Sequence, residues 1–498
     1  MTATPDLKCV PEIHRDRVQR LFDTWGRVSR RNRELSAYYE MKNPLRDLGI
    51  SIPRSMQNVN AVVGWCKKAI SARVVRSKFD GYVFRGRKNP ELDALVRDND
   101  LRAVYGQALQ AALVHGVSAV TVMAGSAGQP AAKARVFSAN QFSALWDYRL
   151  DRIDCGVVVE DVDEHGEPTR YCFFFPSSVA HLGKDGDNWT WTEEGQTLGR
   201  PMMELFVNER SADYPLGRSL ITPELMGIVD KAMRDVLRMD IGAEFFTFPQ
   251  RYVLGAADDL FAAPLDPDQP VDEDGTPIDE NGDPIPRPQS EAEKLNAYIG
   301  SILALTRDEN GDVPQVGQFS PADPSSFAAV FENDAQRFSG ASLVPLGQLG
   351  VLSNTYTSSD ALGAANDPLI LEVERINSTM CKPMEEIGRM MLAVARGTSV
   401  GGLPAEDASM EAYFADPSMP TISARADAWT KLAAADQSLI GTRVYYEGVG
   451  MSQQTIDRIE AERRTAGALD TLNEVAQTIA GAAQAQNKPT VETDSSNG

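Results

Sequence analysis

One stretch constrains the fold more than any other: TPELMGIVDKAMRDVLRMDIGAEFFT, residues 222–247. Leu225, Ile228, Val229, Ala232, Met233, Val236, Leu237 and Ile241 recur at three and four, which makes one apolar face. Lys231, Arg234, Asp235 and Arg238 fall off that face. An uninterrupted helix of this length is a rod of roughly 37 Å. Pro249 stops it, and Arg251-Tyr-Val-Leu254 reads as a strand.

The chain on either side of the rod differs in pattern. From Pro11 to Ala37 it is helical, with Val18, Leu21, Phe22 and Trp25 on one face and Arg15, Arg17, Arg20, Arg27, Arg30, Arg31 and Arg33 on the other. Helices are expected over 58–72 and 101–116, then a strand at Val117–Val122. Strands dominate to Val207, with a turn at Asp163-Glu-His-Gly166 joining 155–160 to 171–175 as a hairpin. After the rod, the spacing predicts a short helix over 291–300, a strand over 302–306 and helices over 325–339 and 359–395. Ser359-Asp360 caps the last of these, and Pro368 and Pro383 are expected to kink it. Helix resumes over 423–485, and 487–498 has the composition of a disordered tail.

Between rod and second helix lies VDEDGTPIDENGDPIPRP, residues 271–288, one phrase written twice. The EF-hand reading fails on spacing, because glycine comes fourth rather than sixth and no bidentate Glu closes the loop. Asp/Asn-Gly pairs instead supply the left-handed residues of tight turns. Turns are favoured over metal. Ten acids from Asp258 to Asp283 have no Lys or Arg among them, so the segment must face water or a basic partner.

Charge and motifs exclude several function classes. A formal net charge of -21 over 498 residues argues against a free-standing nucleic-acid binder that works by phosphate neutralisation. The basic face of the first helix is the one patch suited to nucleic acid; a solvated face or a subunit contact is the other reading, and the favoured one. The five cysteines are scattered without a C-x-x-C pair, as in reduced, mostly buried thiols of an intracellular protein. MTATPDLKCVPEIH lacks a signal pattern and no run of about eighteen apolar residues occurs, so a soluble, cytoplasmically made protein without membrane partner is expected. Gly81-Tyr-Val-Phe-Arg-Gly86-Arg-Lys88 has Arg87 where a phosphate loop needs Lys, and reads as a turn between two strands. Ala124-Gly-Ser-Ala-Gly128 is a loop, not a nucleophile elbow. The four histidines have no paired-ligand spacing. No catalytic residue, cofactor or metal ligand is therefore expected.

Several phrases, in order, resemble the portal proteins of siphovirus-type tailed bacteriophages. Tyr38-Tyr-Glu-Met-Lys-Asn-Pro-Leu45 is similar to the family's Tyr-Tyr-x-Gly-x-x-Pro-Leu, with Met41 in place of glycine. Ala72-Arg-Val-Val75 with Phe79-Asp-Gly-Tyr82, His115-Gly-Val-Ser-Ala-Val-Thr-Val122 and Ala144-Leu-Trp-Asp147 resemble further family elements. So do Val207-Asn-Glu-Arg210, Pro215-Leu-Gly-Arg-Ser219, Phe248–Gly255, Val344-Pro-Leu-Gly347 and Asn354–Leu362.

The resemblance implies an α+β portal-type fold. Its parts would be a mixed α/β wing (1–221), a first stem helix (222–247), a small α/β clip (248–323) carrying the acidic turns (258–288), and a second stem helix (324–342). A tunnel loop (343–357), a kinked wing helix (358–398), a helical crown (399–486) and the tail would follow. The implied function is structural: a closed ring of about twelve subunits at one capsid vertex. That ring would be conduit and valve for double-stranded DNA and nucleator of capsid assembly, found in the virion and, during assembly, in the host cytoplasm. Terminase large subunit, head-completion or adaptor protein, and major capsid and scaffolding proteins would dock on it.

Three groups of residues carry the functional expectations. Gly347, Gln348, Gly350, Ser353, Asn354, Tyr356 and Thr357 give the tunnel loop a mobile, uncharged polar backbone for the DNA channel. Lys231, Arg234 and Arg238 form a stripe opposite the apolar one, facing either channel DNA or acids such as Asp235 and Asp240 of a neighbouring copy; pairing is favoured. Asp272, Glu273, Asp274, Asp279, Glu280 and Asp283 would lie on the clip as a docking surface. A hydrolase, and a calcium-stabilised structural protein centred on the acidic repeat, remain the rival readings.

Overall fold

Helix α1 (Glu12–Glu40) buries Val18, Leu21 and Phe22 and leaves Arg27, Arg30, Arg31 and Arg33 exposed, as its spacing requires. The computed structural model describes residues 5, 7–44, 61–84, 89–186, 188–247, 251–254, 269–272, 277–279, 282–285, 315–318, 325–351, 359–418, 422–451 and 455–465. The chain divides into two units, Met1–Pro417 and Ser418–Gly498.

The first unit is built on two antiparallel sheets. The larger is a meander in the order β4 (Phe142–Asp147), β5 (Arg152–Val162), β6 (Pro168–Phe174), β7 (Ser178–Asp185), β8 (Asn188–Gly195). Phe22 of α1 meets Tyr171 edge-on at 5.2 Å and Phe173 at 6.1 Å, so the helix seals one face of this sheet with aromatic rings. The smaller sheet places β2 (Val117–Ala124) between β3 (Ala132–Ser138) and β9 (Met203–Val207). Helix α4 (Leu101–His115) lies against it, burying Leu101, Tyr105, Ala108, Leu109, Ala112 and Leu113. The Asp163 turn joins β5 to β6 as expected.

Helix α2 (Trp65–Arg76) and helix α3 (Pro90–Asp98) complete this layer. The sequence reading missed α3 although its signal was present: Asn89 accepts from the Leu92 amide, Pro90 follows and Glu91 and Asp93 occupy the first turn. Gly81 does not sit in a turn between two strands. It lies in β1 (Phe79–Val83), whose partner is β12 (Glu411–Phe414), far along the chain, and a turn signal cannot report so distant a partner. Residues 85–88 of that motif lie outside the described residues.

Three of the quoted phrases meet in space. The Asn208 amide donates to the Gly116 carbonyl, the Arg218 amide to Asn208 and the Leu220 amide to Leu113, each at 2.9 Å. A Cβ at Gly217 would stand 2.2 Å from the Asn208 carbonyl oxygen, so only glycine fits there. Met41 ends α1 in the left-handed conformation (φ 61°, ψ 32°), the geometry glycine adopts at about 1 kcal/mol less strain. The turn survives the replacement.

The rod is α5 (Pro223–Thr247), begun by Thr222, whose hydroxyl accepts from the Leu225 amide at 3.3 Å. Beyond it β10 (Arg251–Leu254) pairs antiparallel with β11 (Gln315–Gln318), and α6 (Ser325–Ser342) returns along α5. The helix expected over 291–300 and the strand over 302–306 lie outside the described residues. Helix α7 (Ser359–Arg396) carries both Pro368 and Pro383 inside one continuous helix, where each removes an amide donor. It buries Leu369 and Val373, and Ile376, Met380, Met384, Ile387, Met390 and Met391 join the main core. None of the five cysteines forms a disulfide.

In the second unit α8 (Ile422–Ala435) and α9 (Arg443–Val449) pack together, followed by helix over 455–465. Trp429 meets Tyr445 edge-on at 6.3 Å, and Arg443 pairs with Glu447, Asp457 and Glu460. Among the described residues no helix is long and apolar enough to cross a membrane.

Candidate functional site

Of the charged stripe of α5, Lys231 lies at the seam with α6. Lys231 Nζ stands 2.6 Å from Asp334 Oδ1 of α6 and 3.6 Å from Asp235 Oδ2 of its own helix. Arg238 Nη1 donates to Asp235 Oδ1 at 2.7 Å, and Arg337 Nη1 lies 3.8 Å from Asp334 Oδ1. The carboxylate of Asp334 is wholly buried and that of Asp235 nearly so, while the cations keep part of their surface in water. Asp235 was expected to serve an adjacent copy; its own chain already uses it. The reason is helical geometry, since Lys231 and Asp235 are one turn apart and both face the returning helix. Arg234 is left without an ion pair to any described residue, and Asp240 is exposed.

Of the seven loop residues, Gly347, Gln348 and Gly350 are described and Ser353, Asn354, Tyr356 and Thr357 lie outside. Leu343 turns the chain with φ 57°, and Leu346–Leu349 form a 3-10 turn closed by Gly350. Leu349 is buried, and Gln348 Nε2 donates to Asn366 Oδ1 at 2.9 Å. The start of the loop is therefore fixed structure, against the expectation of mobile backbone. Val344 and Leu349 anchor it in the core, and the spacing of polar residues gave no sign of them.

Of the acidic repeat, Asp272, Asp279 and Asp283 are described, and Glu273, Asp274 and Glu280 lie outside. The second copy is a tight turn. The Asp279 amide donates to the Asp283 carbonyl at 2.9 Å, the Gly282 amide to Asp279 O at 3.0 Å and the Asp283 amide to Asp279 Oδ1 at 2.9 Å. Gly282 has φ 87°. A short bridge from Val271 to Pro277 closes the first copy, and one from Ile278 to Pro284 ties the first copy to the second. Among the described residues no three His, Cys, Asp or Glu converge as metal ligands.

The histidines do have partners that sequence spacing could not show. His181 Nδ1 lies 2.8 Å from Glu160 Oε2, and this hydrogen bond, before the nearby Arg170 and Arg135, holds the Glu160 carboxyl below its ordinary range. His14 stacks on Phe175 at 4.2 Å and reaches Glu193 at 3.0 Å, tying α1 to β8. His115 Nε2 lies 2.9 Å from Ser36 Oγ, yet its Nδ1 meets the Ala111 carbonyl at 3.2 Å rather than a carboxylate. Burial pushes the His115 pKa down, and the pair works as a tie between α1 and α4. Arg200 bridges Glu204 of β9 and Glu386 of α7, the latter at 2.5 Å. An open recess of about 320 Å³ is lined by Glu209, Arg210, Asp213, Tyr214, Arg218 and Arg375. Its arginines are already engaged: Arg210 with Asp151, Arg218 over the Tyr214 ring and Arg375 with Glu372.

No protein-family profile matches the chain. Among curated relatives, the portal protein of Mycobacterium phage L5 is 26% identical over 415 residues, covering 81% of this chain and 79% of the relative. The portal protein of Mycobacterium phage D29 is 26% identical over 443 residues, covering 86% and 84%. Solved structures with a similar course include the neck of an empty gene transfer agent particle, at TM-score 0.44 and 13% identity over 85% of this chain and 94% of that one. The neck of the native particle, computed with C12 symmetry, matches at 0.42 and 13% over the same shares. By its sequence relatives, and by the ordered phrases that run from Tyr38 to Leu362, the chain is a homologue of mycobacteriophage portal proteins.

Proposed function

We propose that the chain assembles into a closed ring, of about twelve copies, through which double-stranded DNA passes in both directions. The observation that carries this reading is the extent of the sequence match: it spans four-fifths or more of the chain, in order, rather than one motif. α5 and α6 are the stem, the β10–β11 pair with the acidic repeat is the clip, 343–357 is the channel loop and the second unit belongs to the crown. Support for the stem is that α5 packs on α6 and that the strands that follow one and precede the other pair antiparallel.

The channel must pass a polyanion without trapping it. A chain with formal net charge -21 repels phosphate, and cations committed to buried carboxylates, as Lys231 and Arg238 are, make no deep well for DNA. Arg234 is the stem cation available to centre the duplex or to meet an adjacent copy. The work of translocation comes from a terminase large subunit, and the ring acts as conduit, valve and assembly nucleus. The acidic clip docks that motor and later the head-completion or adaptor protein, while major capsid and scaffolding proteins meet the outer surface. Assembly takes place in the host cytoplasm and the ring stays in the virion.

Negative-stain images of the purified chain test the proposal directly. Rings with a central hole are expected. Particles without a hole at every concentration tried would overturn the ring and, with it, the conduit.

A further inference from the structure

Helix α2 is only twelve residues long. Its side chains nevertheless reach three successive pieces of chain more than 260 residues away. At its start Trp65 packs on Phe331 and Phe338 of α6, with ring centroids 5.2 and 5.5 Å apart. Lys68 Nζ donates to the Leu349 carbonyl, the end of the 3-10 turn, at 2.6 Å. Arg73 Nη2 donates to the Ser342 carbonyl, the last residue of α6, at 2.8 Å, while Nη1 bonds Ala69 O of its own helix at 3.0 Å. Arg76 Nη2 donates to Asn366 Oδ1 of α7 at 3.0 Å, the same oxygen that Gln348 reaches. Ser77, which ends the helix, donates to Asn377 Oδ1 at 2.6 Å.

Arg73 shows how specific the arrangement is. It is 2% exposed, and no carboxylate lies within ion-pair distance among the described residues. A buried guanidinium is costly unless its donors are answered. Here Nη2 is answered by the Ser342 carbonyl at the C-terminal end of α6, where unsatisfied acceptors carry partial negative charge, and Nη1 by the Ala69 carbonyl within α2, while Nε has no partner among the described residues. α2 is itself held by Cys66, Ala69 and Ile70 in the main core, so the contacts refer to a rigid body.

We propose that α2 is the anchor that fixes where the chain leaves α6 and where it enters α7, with Lys68, Arg73 and Arg76 as positioning residues. Both ends of the connection between these helices are thereby referred to the wing rather than to the stem. The functional consequence rests on reading 343–357 as the channel loop: the wing, not the stem, sets the point from which that loop departs.

Hydrogen exchange on the full chain tests the anchor without assuming any channel. Lys68 is exposed, so Lys68→Met should fold. The amides of Gln348 and Gly350, which close the 3-10 turn, should then exchange on the order of tenfold faster, while those of α1 and α5 keep their rates. Arg76→Gln should speed exchange at the start of α7, and Arg73→Met at Ala341 and Ser342. Rates over 340–350 that stay within about twofold of the parent in Lys68→Met would overturn the anchor. That variant decides the matter if Arg73→Met does not fold. Images of rings from the same preparations test the portal reading separately, so the two can fail independently.

Discussion

The stem and the acidic repeat both depend on aspartates, yet they use them in opposite surroundings. At the α5–α6 seam Asp235 and Asp334 are buried, and each is met by cations of its own chain. In the repeat, Asp279 uses its carboxylate to close a turn on its own backbone, and Asp283 points to solvent. The first arrangement couples elements 103 residues apart; the second closes within five residues. The difference teaches that in a chain this acidic, location rather than residue type decides whether a carboxylate holds the fold together.

The sharpest way to break the comparison is at Asp334. Asp334→Ala leaves Lys231, Arg238 and Arg337 facing one another with a single acid among them, and stability should fall by about 2 to 4 kcal/mol. The partial exposure of the cations keeps the figure from being larger. A urea titration followed by tryptophan fluorescence measures it. The double variant Asp334→Leu with Lys231→Met, which replaces the pair by apolar groups, should recover most of the loss. An unchanged midpoint in Asp334→Ala would mean that the seam does not rely on its buried charge.

How much of this was legible follows the same division between near and far. The rod helix was readable because a period near 3.6 is a local property, and Pro249 and Thr222 mark its ends. The Asp163 hairpin was readable because its turn residues are adjacent in sequence. What was not readable involves partners distant in sequence: Asp334 for Lys231, β12 for β1, Ser342 and Leu349 for α2. The nine charged positions named for the stem and clip were visible as residue types. Which of them point into a seam depends on a second helix that no spacing in the first one specifies.

A half-buried acid lies between the two extremes. Glu160 is held below the ordinary glutamate value of 4.5 chiefly by its hydrogen bond from His181. The native state therefore releases this proton more readily than the unfolded chain does. Its contribution is complete above that value and is lost as pH falls through the lower native one. Melting temperatures at about pH 6 and about pH 4 should show a smaller acid-induced drop in His181→Gln than in the parent. Equal drops would show that the pair carries no such linkage.

Two glycines sharpen the contrast, because the turns share one bonding pattern. In Asp163–Glu167 the Asp163 amide bonds Glu167 O, Gly166 bonds Asp163 O and Asp163 Oδ1 accepts from Glu167, at 2.9, 3.0 and 2.9 Å. The second copy of the repeat matches this contact for contact, and Gly166 and Gly282 have φ 79° and 87°. Alanine costs about 1 kcal/mol at either site. In Gly166→Ala that cost should lower the melting temperature, since the turn joins two strands of a packed sheet. In Gly282→Ala it should leave the global transition in place, because the bridges there cover little apolar surface. Equal shifts would show that the repeat is coupled to the core after all.

The smallest effect on stability is expected from the largest change in sequence. Replacing residues 272–285 by a short Asn-Gly turn removes the acids Asp272, Glu273, Asp274, Asp279, Glu280 and Asp283 together. Ile285 and Val271 are 38% and 46% exposed, so little apolar area is given up. Mutual repulsion of the carboxylates is already screened over about 8 Å at physiological salt, so relieving it gains little either. Melting temperature and ring formation should stay nearly unchanged. Binding of a basic docking partner should weaken, and the difference between parent and variant should shrink as salt rises, as charged docking surfaces require. Calcium should have little effect on either chain. A large calcium-dependent rise in the melting temperature of the parent, abolished by the replacement, would show that the repeat is a metal loop and would bring it back into the company of Asp334 as an acid that holds the fold.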